Sequence, residues 1–140
     1  MEQTAIFGPV FAMFVLTGAV WAYMYARRIP FIQSLDPGIA LTPAQLAELS
    51  PPAVANPSDN LKNLFEIPVI FYATALVLFV TGQVDAVYVG AAWLFAVFRA
   101  LHSAVHCTVN AIRVRFALYA VSTLAVWFMA ARAAIRYLAS

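Results

Sequence analysis

The sequence predicts an all-α integral membrane protein whose four spanning helices form a bundle. Of its 140 residues, 64% are hydrophobic and only 10% are charged, whereas a soluble domain is about 25% charged. Four apolar stretches are long enough to cross a bilayer, which takes about 20 helical residues. The net charge of +2 is too small to suggest that the protein binds nucleic acid. We therefore expect one four-span domain over residues 1–140, with the lipid bilayer as its partner.

The first spanning helix is predicted over about residues 6–26. Ile6 to Tyr25 contains no charged residue, and 20 helical residues extend about 30 Å. Glu2 stands where a cleavable signal would carry a basic region, and no small-residue cleavage site precedes Arg27. The stretch is therefore expected to remain as a transmembrane helix.

A proline-rich connection is predicted over residues 29–55. Thr42 and Gln45 have the spacing of a capping box, and Pro43 suits a first helical position. This pattern predicts one short helix, which ends near Leu49.

The second spanning helix is predicted over about residues 57–80. Asn56 would cap it, and Pro68 would bend it near Glu66, because proline removes a backbone hydrogen bond. Thr81–Gln83 would form a tight turn. The third and fourth helices are predicted over about 85–109 and 114–137.

An alanine recurs every fourth residue in the third helix, which lets another helix approach closely. Together with polar groups that lack partners, this seam favours a homotrimer. Lysine and arginine are concentrated in the first and third connections, so these are expected in the cytoplasm and the termini outside. The alanines are Ala92, Ala96, Ala100 and Ala104, and the basic residues are Arg27, Arg28, Lys62, Arg113 and Arg115.

Polar side chains form a stripe along the third helix and beyond it. On a helix of about 100° per residue they share an arc of ~100°. Ionisable groups are expensive in hydrocarbon, so the stripe should face protein or a wet cavity. Its members are Arg99, His102, Ser103, His106, Asn110 and Arg113.

Several of these residues have more than one interpretation. Glu66 and Arg99 would form either a structural ion pair or part of a site, because an unpaired buried charge is costly. His102 and His106 would be hydrogen-bonding groups or ligands of a haem or metal, but no further ligands accompany them, so we predict no metal site. Cys107 is more typical of a packed residue than of a reactive thiol.

Two ordered motifs resemble the MAPEG family, membrane-associated proteins in eicosanoid and glutathione metabolism. Asn63-Leu-Phe-Glu66 matches the family's Asn-x-x-Glu, and Arg99-x-x-His102 matches its Arg-x-x-His. An arginine also lies thirteen residues after this histidine, at Arg115, as in the prostaglandin E synthase branch. The surrounding sequence is most similar to a little-characterised bacterial branch.

This resemblance implies a homotrimer in the bacterial inner membrane, with glutathione bound at sites that face the cytoplasm. Asn63 and Glu66 would bind the amino end of glutathione, Arg99 and His102 would shape the pocket, with His106 beside them, and Arg115 would stabilise the thiolate. The implied activity is that of a glutathione transferase or peroxidase, acting on hydrophobic electrophiles or lipid hydroperoxides.

Two residues depart from the catalytic branches. Asp59 occupies the position of an arginine that binds the glutathione carboxylate, and His106 occupies that of a tyrosine. Asp59 would otherwise serve as an acid in the first turn of its helix. These departures favour the alternative, a non-enzymatic lipid-binding or scaffold protein of the same fold.

Overall fold

A computed structural model describes residues 1–139, and within this range every regular element is helical. Four segments are long and apolar enough to span a membrane: Gln3–Ser34, Pro52–Val80, Ala86–Cys107 and Ile112–Leu138. The predicted all-α, four-span fold is thereby confirmed. A 3₁₀ turn at Gln3–Ile6 precedes six α-helices: α1 (Phe7–Ser34), α2 (Pro43–Leu49), α3 (Pro52–Asn63), α4 (Ile67–Val80), α5 (Ala86–Cys107) and α6 (Ile112–Leu138).

Helix α1 continues eight residues beyond the predicted end at residue 26. It passes through Pro30, which the sequence interpretation had placed in a loop. Packing against α3 supports this extension, and Arg28 Nη2 donates a hydrogen bond to Ser58 Oγ at 2.7 Å. Tertiary contacts thus outweigh the hydrogen bond that proline removes.

The capping box that was predicted for α2 is confirmed. Gln45 N donates to Thr42 Oγ1 at 3.2 Å, and Thr42 N donates to Gln45 Oε1 at 3.0 Å. Helix α3, in contrast, begins at Pro52 and not at residue 57. Pro52 itself occupies the first helical position, where its missing N–H is not needed. Asn56 therefore lies inside α3 and does not cap it.

The predicted second span is two helices separated by Leu64–Glu66. The expected bend at Pro68 is thus a break, and Pro68 lies in the first turn of α4. Alone, the 14 residues of α4 would extend only about 21 Å. The span is therefore completed by the last turns of α3, which are more polar.

The turn after α4 forms as predicted. Gly82 has a φ of +65°, a conformation that glycine adopts without steric cost. Gln83 N donates to Leu78 O at 2.9 Å and Gly82 N donates to Phe79 O at 3.1 Å, the two bonds of a Schellman motif. Gln3 exchanges two hydrogen bonds with the Val84 backbone and ties the N-terminal turn to this connection.

The hydrophobic core lies where α1, α4, α5 and α6 meet. Phe71 and Phe95 pack with ring centroids 4.5 Å apart, and both are fully buried with Met13 and Met129. Many large apolar side chains remain exposed on the outer faces, among them Trp127. Such surfaces suit a bilayer environment, and the chain is an integral, multi-pass membrane protein.

Asp85 ties the ends of α5 and α6 together. It caps α5 through the backbone N–H groups of Val87 and Tyr88, both at 3.1 Å. Arg132 forms two hydrogen bonds with its carboxylate, at 2.9 and 2.8 Å, and Arg136 forms one at 3.0 Å. The Arg132 guanidinium lowers the pKa of Asp85 from its ordinary value to about 2.

Asp85→Ala should destabilise the bundle more than Asp85→Asn. Asparagine preserves the helix cap, so the two variants should differ by about 1 kcal/mol in the free energy of unfolding. The lowered pKa means that the ion-pair contribution is present above pH ~4 and is lost as the pH falls through about 2. Thermal unfolding in detergent between pH 2 and 6 would measure both effects. Equal losses in the two variants would contradict the capping role.

The alanine seam of α5 does not keep to one side of the packed bundle. Ala92 and Ala96 are buried, whereas Ala100 and Ala104 are exposed. A repeat of four residues advances 400°, so the seam drifts by about 40° at each step. Its second half is therefore available to a neighbouring helix.

Candidate functional site

Four members of the predicted polar stripe face the interior of the bundle. Arg99, His102, Ser103 and His106 are 0–3% exposed, as expected for ionisable groups in a span. The stripe ends there because α5 stops at Cys107 and the backbone turns, with φ of +47° at Asn110. The other two predicted members therefore lie outside the α5 stripe, with Asn110 in the connection and Arg113 exposed on α6.

A polar cavity of about 260 Å³ opens beside the stripe. It lies between the α3–α4 break, α5 and the first turns of α6. Its lining includes two groups of the Asn-x-x-Glu motif, which the break presents together. The lining residues are Asn63, Glu66, His102, Ile112, Arg115, Phe116 and Tyr119.

His102 has a defined tautomer. Its Nδ1 lies 3.0 Å from the carbonyl oxygen of Arg115, and a carbonyl only accepts, so we assign the proton to Nδ1. Nε2 of the neutral ring is then an acceptor. It is buried and has no partner within residues 1–139. A donor group of a bound molecule would satisfy it.

Arg115 is held by a chain of side-chain amides. Its Nη1 donates to Asn110 Oδ1 at 2.8 Å, and Asn110 Nδ2 donates to Asn56 Oδ1 at 3.2 Å. This chain links α6 to α3 across the connection. A guanidinium has five N–H donors, so Arg115 keeps others for an anion in the cavity.

Arg99 is completely buried, and its three guanidinium nitrogens form no hydrogen bond with any described residue. Its carbon Cζ lies 5.0 Å from the ring centroid of Tyr119 and 5.6 Å from that of Phe95. Cation–π contacts of this kind stabilise the charge only in part. Tyr119 also lines the cavity, whereas Arg99 is not among the lining residues.

The ion pair between Glu66 and Arg99 is not formed within the described chain. Glu66 is the last residue of the α3–α4 break and is exposed, whereas Arg99 is buried in the bundle. The prediction rested on the cost of an unpaired buried charge, and that cost does not determine which group the charge contacts. Along residues 1–139 the carboxylates that form ion pairs are Asp59 and Asp85.

A second polar cluster lies between α3 and α5. Ser103 Oγ donates to Asn60 Oδ1 at 3.2 Å, and Asn60 Nδ2 lies 3.6 Å from Cys107 Sγ. His106 is buried with its ring centroid 5.7 Å from that of His102. Its Nδ1 has no partner in the part of the chain that the structure describes.

The structure thus brings four of the six predicted site residues to the cavity wall. Arg99 and His106 are buried and do not line the cavity. Sequence reasoning missed Tyr119, although it lies one turn after Arg115 and hence on the same face of α6. The predicted site is accordingly compact, with Asn63 and Glu66 on one side and His102 and Arg115 on the other.

The fold and this cavity define a polytopic helical membrane protein with a polar site between its helices. The model of the MAPEG family matches residues 6–135, and the chain belongs to this family. Searches of curated proteins and of solved structures found no match.

Proposed function

We propose that the cavity binds glutathione and that the protein is a glutathione-dependent transferase or peroxidase for apolar substrates. The observation that carries the proposal is the lining of the cavity, which combines the carboxylate of Glu66, the guanidinium of Arg115 and the ring of His102, whose buried Nε2 has no partner within residues 1–139. Glutathione offers complementary groups: an ammonium, carboxylates, amide N–H donors and a thiol.

The wall suggests an orientation for this ligand. Glu66 and Asn63 would bind the ammonium end, and His102 Nε2 would accept an amide N–H. Arg115 would lie near the sulfur, where a guanidinium favours the thiolate over the thiol. Arg99 adds positive charge beside Tyr119, in a setting where charges are weakly screened.

Two reactions use such a thiolate. Attack on an electrophilic carbon forms a carbon–sulfur bond and expels the leaving group with its electron pair. Attack on a hydroperoxide releases an alcohol and leaves an oxidised sulfur, which a second thiol converts to a disulfide with loss of water. Apolar substrates would reach the cavity from the bilayer, past Ile112 and Phe116 on its wall.

A non-enzymatic lipid-binding or scaffold function is the second candidate. Asp59 favours this candidate, because it stands where an arginine would bind the carboxylate of glutathione. Asp59 pairs with Lys62 at 3.1 Å, and neither residue lines the polar cavity. Under this candidate the polar cavity would take no thiol.

Ultraviolet absorbance of bound thiolate distinguishes the two candidates. Purified protein with millimolar glutathione should show thiolate absorbance near neutral pH, where the free thiol is largely protonated. S-methylglutathione is the matched control, because it keeps every other group and has no ionisable sulfur. Equal absorbance with both ligands would contradict the proposed activity.

We also propose that the protein is a homotrimer, which the exposed half of the alanine seam supports. Ala104→Leu should weaken assembly, because a larger side chain keeps a neighbouring helix at a distance. Ala117→Leu, at an equally exposed alanine of α6, is the control. Mass measurement in detergent should give three chains for the wild type and for the control. A monodisperse wild-type monomer would contradict the proposal.

A further inference from the structure

Two other cavities meet at a cluster formed by Arg28, Ser58 and Lys62, here called the interfacial cluster. The outer cavity, of about 580 Å³, lies between α2, α3 and the end of α1. The inner groove, of about 470 Å³, lies between α1 and α3. Neither contains a residue of the polar cavity that is proposed to bind glutathione.

The sequence of α1 places the cluster at the expected depth of the lipid headgroups. Arg28 follows an apolar stretch of α1 that extends about 30 Å, the thickness of the hydrocarbon core. Met24, on the inner groove, lies one turn closer to the membrane centre. Tyr23, Tyr25 and Arg27 form the aromatic and basic belt that is typical of the interface.

The lining of the two cavities changes from apolar to more polar in the direction from the membrane centre to the water. The inner groove is lined below the cluster by Met24, Tyr25, Leu61 and Phe65, which suit a hydrocarbon chain. The outer cavity adds the hydroxyl groups of Thr42 and Ser50 and the carboxylate of Asp59, which pairs with Lys62. The site is therefore apolar on its membrane side and more polar on its water side.

The interfacial cluster carries unsatisfied positive charge. Arg28 Nη2 donates to Ser58 Oγ at 2.7 Å, but Arg28 Nε is buried with no partner within residues 1–139. Arg28 makes no ion pair along the same residues. Lys62 pairs with Asp59, both mostly exposed, so these two charges offset each other and the charge of Arg28 remains.

We propose that the interfacial cluster binds the phosphate of an anionic phospholipid. The headgroup would occupy the outer cavity, and one acyl chain would lie along the inner groove. An arginine fork matches the geometry of phosphate oxygens, and Lys62 adds a second donor. The apolar lining of the inner groove favours a lipid over free phosphate, because a free ion would leave the groove unfilled.

Lipid binding to the purified protein tests this proposal. Phosphatidylglycerol should bind the wild type, as measured by native mass spectrometry of detergent-solubilised protein. Arg28→Gln should weaken binding about tenfold or more, because it removes a charge-assisted hydrogen bond. Arg27→Gln is the matched control, since Arg27 has the same charge but stacks on Tyr23 and lines neither cavity. It should bind as the wild type does, and both variants should retain the wild-type helical content.

Several outcomes would overturn the proposal. Equal losses in the two arginine variants would show general attraction to a basic surface. Equal binding of phosphatidylcholine would show that the negative charge is not recognised. Inorganic phosphate that competes as well as the lipid would rule out a role for the groove. If a second copy of the chain fills these cavities, no lipid binding will depend on Arg28.

Discussion

Arg115→Ala will reduce the fraction of bound glutathione that is ionised near neutral pH by about 10- to 100-fold. The estimate follows from the loss of one charge-assisted contact of about 1.5–3 kcal/mol to the thiolate. Thiolate absorbance, titrated against pH with glutathione at saturation, measures this ionised fraction. The apparent pKa of the bound thiol should rise in the variant.

Arg113→Ala is the matched control for this experiment. Arg113 lies two residues away, is exposed and does not line the cavity, so its removal should leave the titration unchanged. Arg115→Ala also breaks the hydrogen bond to Asn110, so thermal unfolding of each variant is needed beside the titration. An unchanged thiol pKa in a folded Arg115→Ala protein would exclude Arg115 as the thiolate partner.

Arg99→Met will leave the stability of the bundle unchanged or raise it, by up to about 4 kcal/mol. Methionine fills a similar volume, and replacing buried charges with packed apolar groups is often stabilising. Within residues 1–139 the guanidinium of Arg99 forms no hydrogen bond or ion pair and lies over two aromatic rings, so little is lost with it. The same variant should weaken the thiolate signal, because the cavity loses positive charge.

The opposite result is equally informative. A loss of about 3–5 kcal/mol would show that Arg99 has a charged partner in the assembled protein, since removing one member of a buried pair leaves the other unpaired. Glu66→Gln is the companion variant. Glu66 is exposed and forms no ion pair with Arg99. The free energy of unfolding of the Glu66→Gln variant should therefore stay within about 0.5 kcal/mol of the wild-type value.

The spans, the buried stripe and the α2 cap could be predicted because each depends on residues close together in sequence. Hydropathy determines which stretches enter the membrane, and the helical period determines which side chains share a face. The extension of α1 past Pro30 could not be predicted in this way, since contact with α3 supports it. The sequence predicts a bend before α4, whereas the structure has a break of three residues. Local sequence signals indicate that proline disturbs a helix, but they do not indicate how many residues lose the helical conformation.

The sequence predicted which residues line the site better than it predicted how those residues are oriented. The resemblance to the MAPEG motifs identified Asn63, Glu66, His102 and Arg115, which line one cavity. The sequence predicted that Arg99 faces inward but not its ring contacts, which come from Phe95 on its own helix and Tyr119 on another. The tautomer of His102 depends on a backbone carbonyl thirteen residues away, and sequence periodicity carries no information about that contact.

Helix α3 forms a wall of two cavities, because Lys62 lines the interfacial site and its neighbour Asn63 lines the polar one. Helix α3 packs against α1 and α5 and is joined to α4 through a break, so both proposed ligands would contact the same short helix. A ligand that favours one position of α3 then changes affinity at the other cavity, and thermodynamic linkage requires the same factor in both directions. The lipid composition of the membrane would thereby act as an allosteric effector of thiol binding.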